Sequence, residues 1–125
     1  MTFTKHYTRE EARALLPKLR LWLERLSQLR NTSGKSERRF ESLRVEGADL
    51  GGEMVNRWLR DLVEMRELLL EFHRREILLK DLERGLVDFP AVIGGKEVFL
   101  CWERTEADIQ FWHDLDSGYA GREPL

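Results

Sequence analysis

The chain has 125 residues, 35% of them Asp, Glu, Lys or Arg, a formal net charge of -2 and one cysteine. That length suits one domain, the supply of aliphatic and aromatic residues excludes a disordered chain, and one cysteine excludes both an intrachain disulfide and a cysteine-paired zinc motif. The charge is unevenly placed: up to residue 60 there are 13 Lys/Arg against 8 Asp/Glu, and beyond it 8 against 15, so the two halves attract each other or a second copy.

Thr2 to Tyr7 reads as a short extended segment in which His6 is exposed and incidental. Thr8-Arg9-Glu10-Glu11 is a capping-box pattern that starts a helix. Ala12, Leu15, Leu19, Trp22, Leu26 and Leu29 then recur at steps of three and four, with Leu16 and Leu23 widening the stripe. Pro17 deletes one backbone hydrogen bond and predicts a kink or a 3-10 start, with the helix continuing beyond it because the spacing is unbroken. Asn31-Thr32-Ser33-Gly34 is the predicted end of this helix, and Lys35 to Glu46 a helical but frayed, charged connection into Gly47, Gly51 and Gly52. Val55, Trp58, Leu62, Met65, Leu69 and Phe72 repeat the spacing and predict a second long helix ending near Arg75. The coiled-coil-like stripes are wider than one helical hairpin can bury, which predicts a homodimer paired as a four-helix bundle.

After Arg75 the period changes. Ile77 to Lys80 alternates as a short strand, and Gly94-Gly95 between two apolar runs predicts a β-hairpin with a two-residue turn. Pairing Ile93 with Lys96 sets Asp88 opposite Cys101 and Leu86 opposite Glu103 on one face; Val87, Phe89 and Ala91 then meet Trp102, Leu100 and Val98 on the other, apolar face. Thr105 to Ile109 reads as one helical turn, and the tail from Ser117 as an irregular strap. The fold class is therefore α+β, predominantly α: a long antiparallel helical hairpin (8–75), a small antiparallel β-meander (76–104) and a C-terminal strap (105–125), all within a single domain spanning 1–125.

Phe3-Thr4, the Glu10 to Pro17 run, Leu79-Lys80-Asp81, Gly85 to Pro90, Leu100-Cys101-Trp102, Phe111 to Leu115 and Gly118 to Arg122 together give a sequence that resembles the bacterial domain of unknown function 2203 family over nearly the whole chain. Related sequences tend to carry a glycine before the Leu-Lys-Asp run, where this chain has Arg75-Glu76. The resemblance implies a fold and supplies no mechanism.

No P-loop, dinucleotide glycine fingerprint, His-Glu-x-x-His or Gly-x-Ser-x-Gly occurs, so the reading leans away from an enzyme. Glu67, Glu71 and His73 lack the Glu-x-x-His spacing of carboxylate-bridged bundle sites. The favoured function is a dimeric structural or interaction module whose helices and aromatic surface meet another protein. The alternative is a metal-binding or hydrolytic protein: Asp88, Glu103, His113, Asp114 and Asp116 supply imidazole and carboxylates for zinc, manganese or iron. Opposed to that stands a structural polar network of Asp88, Cys101, His113 and Arg122, in which Arg122 pairs with Asp88 or Asp116 and His113 bonds a backbone carbonyl. A nucleic-acid face on Arg13, Lys18, Arg20 and Arg25 is interrupted by Glu10, Glu11 and Glu24. The first helix has a better use for its apolar stripe than a membrane surface, and without a secretory signal the chain is expected in the cytoplasm.

Overall fold

A computed structural model describes residues 1–47 and 52–125; the predicted connection through Gly51 lies outside the described residues. Two helices, α1 (Arg9–Val45) and α2 (Glu53–Arg74), precede five strands, β1 (Leu78–Asp81), β2 (Leu86–Ile93), β3 (Lys96–Glu103), β4 (Phe111–Asp114) and β5 (Glu123–Pro124), with a 3-10 turn at Tyr119–Gly121. The strands form one antiparallel sheet in the order β1-β2-β3-β4-β5. With two helices among the described residues, the predicted four-helix bundle does not describe this chain.

The capping box forms as predicted: the Glu11 amide donates to Thr8 Oγ1 and the Thr8 amide to Glu11 Oε1, each at 3.1 Å. The buried stripe of α1 is Ala12, Leu16, Leu19, Leu23, Leu26, Leu29 and Ser33, with Leu15 and Trp22 on its flank. It is turned from the predicted seam because α1 packs against α2 and the sheet together, so Leu16 and Leu23 point into the shared core. The helix also runs through Pro17 and past Ser33-Gly34 for 37 residues. At the predicted stop the Thr32 and Ser33 hydroxyls bond carbonyls of their own helix, at Gln28 and Arg30, sharing acceptors of the helix and not ending it. Beyond Gly34, Phe40 meets Trp58 edge-on at 5.3 Å, which gives the extended end of α1 a partner.

α2 ends in a Schellman motif. Ile77 N–H bonds Phe72 O and Glu76 N–H bonds His73 O, both at 3.0 Å, while Phe72 and Ile77 pack in the core. The motif requires a left-handed residue, and Glu76 fills it at φ 55°. Its carboxylate gives the reason: it accepts from the amides of Thr4 and Lys5 and the Thr4 hydroxyl, tying the N-terminal segment down.

The β2–β3 hairpin has the predicted register, from Leu86 with Glu103 to Ile93 with Lys96. Gly94 and Gly95 both have positive φ, 59° and 77°, which a two-residue primed turn demands. Val87, Phe89, Ala91, Val98, Leu100 and Trp102 pack against the helices as predicted. Pro90 lies beyond the residues of β2 that pair with β1, so its missing N–H disturbs no ladder there, and its carbonyl accepts the Tyr7 amide at 2.7 Å.

Two predictions after β3 need correction. Residues 104–108 form a turn and bends, not a helix, because the Glu106 carboxylate takes the Glu103 amide and the Glu106 carbonyl takes the Trp102 indole N–H. The tail is also more regular than a strap: Phe111–Asp114 joins β3 as β4, and Glu123–Pro124 joins β4 as β5. No described helix is long and apolar enough to cross a membrane.

Candidate functional site

The sheet face turned away from the helices carries Asp88 from β2, Cys101 from β3 and His113 from β4, one residue from each of three adjacent strands. Strand alternation puts them there, since Asp88 is paired with Cys101 and His113 with Phe99. Their exposures are 2%, 0% and 2%. The N-terminal segment covers part of this face, with Phe3 edge-on to Phe99 at 5.4 Å, and the C-terminal turn covers another, with the Arg122 guanidinium 4.0 Å from the Phe111 ring.

One ligand atom from each of Asp88, Cys101 and His113 lies within 4.8 Å of the other two. His113 Nδ1 is 2.7 Å from the Asp114 carbonyl oxygen. A carbonyl only accepts, so Nδ1 carries a proton, and the 3.0 Å contact of Nε2 with Asp88 Oδ1 holds a second proton between imidazole and carboxyl group. The Cys101 thiol is pushed up to about 12, first by burial and then by the charge of Asp88 and a hydrogen bond with it, with Arg122 pulling the other way. A protonated thiol on a carboxylate is the opposite of the thiolate–imidazole pairing that activates a nucleophilic cysteine.

The other predicted ligands are elsewhere. Glu103 lies two residues beyond Cys101 on the same face, but Arg84 holds it at 2.8 Å and the Tyr119 hydroxyl donates to it at 3.2 Å. The Arg84 hydrogen bond is the main cause of its lowered pKa, opposed by burial and assisted by Tyr119. Asp114 is displaced by the alternation of β4: next to His113, it points to the opposite face, where Lys96 meets it at 2.8 Å. Asp116 is exposed in the turn after β4. Arg122 pairs with Glu106 and stacks on Phe111 and Tyr119, so the predicted pairing with Asp88 or Asp116 is replaced. The missing signal was Glu106, an isolated acid in a connecting loop. Cys101 was legible as the cross-strand neighbour of Asp88, and it takes the place that the carboxylates were given.

Three of the four residues of the predicted nucleic-acid face, Arg13, Arg20 and Arg25, are engaged within the chain, and Lys18 lies over the Trp22 ring. Arg13 makes a bidentate pair with Asp108, Arg25 another with Glu64, and Arg20 donates to the carbonyls of Arg104 and Glu106. His6, read as incidental, is 2.7 Å from Glu97.

A second feature lies on α2, where only Phe72 of 22 residues is fully buried. Leu59 and Val63, one turn apart, are 47% and 56% exposed. With Asn56, Arg60, Glu64 and Glu67 they line an open groove of about 600 Å³. Neither residue belongs to the predicted seam; their spacing of four beside it was the available signal.

No curated protein and no solved structure matches the chain. Residues 5–125, which hold both the sheet-face cluster and the α2 groove, match the family described as Uncharacterized conserved protein (DUF2203), and the chain belongs to that family.

Proposed function

We propose that this chain is a small interaction module that pairs with a second copy of itself through the Leu59/Val63 stripe of α2. The observation that carries the reading is the exposed apolar pair at the centre of an α2 face otherwise lined by polar and charged residues. Such a surface is stabilised by removal from water, and contiguous apolar patches rimmed by charge are characteristic of interfaces.

Charge supports a second copy as the occupant. Arg60 and Glu67 are seven residues apart on one flank of the stripe, and neither takes part in an ion pair among the described residues. If two α2 helices lie antiparallel about a twofold axis near Val63, Arg60 of one copy meets Glu67 of the other, twice, because flanking positions of antiparallel helices face their own kind. The apolar pairs then meet at the axis.

Sedimentation velocity at micromolar concentration tests this. A dimer is expected for the parent and a folded monomer for Leu59→Glu/Val63→Glu. Arg60→Glu alone weakens the dimer and Arg60→Glu/Glu67→Arg restores it. A monomeric parent removes the proposal, and so does a dimer untouched by the double glutamate change.

A further inference from the structure

We infer that Asp88, Cys101 and His113 form a zinc site that joins β2, β3 and β4. This is independent of the α2 surface, which lies on another part of the molecule. Thiolate, imidazole and carboxylate are a borderline-soft donor set, suited to zinc and unlike the all-oxygen sets that magnesium and calcium take.

The spacing of the three ligand atoms suits a tetrahedral ion. Zinc bonds of about 2.0 to 2.3 Å at tetrahedral angles put ligand atoms roughly 3.3 to 3.8 Å apart. The Nε2 to Oδ1 separation of 3.0 Å and the 4.8 Å limit on the whole set bracket that range. His113 is oriented as a ligand should be: its Nδ1–H is held by the Asp114 carbonyl, the kind of outer contact that fixes ring angle and tautomer and leaves Nε2 for a metal. Each ligand also sits on its own hydrogen-bonded strand, so the three are held by the sheet and not by a mobile loop.

Charge balance makes an ion acceptable at a site exposed by no more than 2%. On binding, the Cys101 S–H bond breaks and its electron pair becomes the Zn–S bond, while the proton held between Nε2 and Asp88 leaves as zinc takes both groups. Two protons go as one dication enters, so the buried net charge is unchanged and no uncompensated ion is desolvated. Three protein ligands leave the fourth tetrahedral position to water.

The covering segments make entry easiest while the sheet forms, so the test is refolding of the full chain from denaturant with zinc or cobalt(II), followed by transfer to metal-free buffer. About one metal per chain is expected, with thiolate-to-cobalt charge-transfer absorption and the strong ligand-field bands of a tetrahedral site. Cys101→Ser loses the charge-transfer absorption, whereas Asp114→Asn and Asp116→Asn keep it. Zinc raises the Tm of the parent. A folded parent that retains no metal overturns the inference without recourse to any variant. A cobalt spectrum unchanged by Cys101→Ser overturns it as well, since the ion is then bound elsewhere.

Discussion

His6 donates from Nε2 to Glu97 at 2.7 Å across 91 positions of sequence, and the amides of Thr2 and Phe3 donate to the same carboxylate at 2.8 and 3.0 Å. Burial raises the Glu97 carboxyl, but these hydrogen bonds outweigh it and bring the group from 4.5 down to about 2. Between those values the unfolded chain binds a proton that the folded chain does not, so stability rises with pH through that window. The contribution is complete above 4.5 and lost as pH falls towards about 2. Urea unfolding along an acid series should show a slope in this window that is shallower in Glu97→Gln. Equal slopes would mean that the carboxylate has no such role.

Glu76 holds a left-handed conformation that glycine adopts freely, and its carboxylate anchors Thr4 and Lys5. Glu76→Gly loses the anchor and relieves the backbone; Glu76→Ala loses the anchor and keeps the strain. The alanine variant should therefore be less stable than the glycine variant by about 1 kcal/mol. Chemical denaturation of the pair checks the sign, and an alanine variant as stable as the glycine one contradicts the assignment.

Trp102 is fully buried between β3 and the helices, and its indole N–H donates to the Glu106 carbonyl at 2.9 Å. Trp102→Ala removes the largest core side chain and should cost about 3 to 5 kcal/mol. A loss below about 1 kcal/mol in equilibrium unfolding would be too small for a buried tryptophan.

Cys101 is inaccessible, and burial together with Asp88 keeps its thiol protonated at neutral pH. Alkylation by iodoacetamide, followed by mass spectrometry, should be negligible in the native protein and become rapid once denaturant unfolds it. Rapid labelling of the folded chain would show that the covering segments open readily.

The Leu86 to Glu103 hairpin was legible from sequence because its determinants are local. A two-residue Gly-Gly turn sets the register, and alternation of apolar residues sets the face, so both Asp88–Cys101 and Phe89–Leu100 followed from residues close in the chain. The same holds for the Thr8 cap and the second helix. What tertiary structure decided was set at longer range. α1 continues beyond Gly34 because Ser33 is buried and Phe40 finds Trp58, partners that no local stop signal includes. Phe111–Asp114 is a strand because the edge of β3 is there to receive it; four residues carry too little pattern to announce that alone. Once β4 is paired, alternation sends His113 and Asp114 to opposite faces. Adjacent letters thus part, and His113 joins Asp88 and Cys101, residues whose nearness depends on three strands lying side by side.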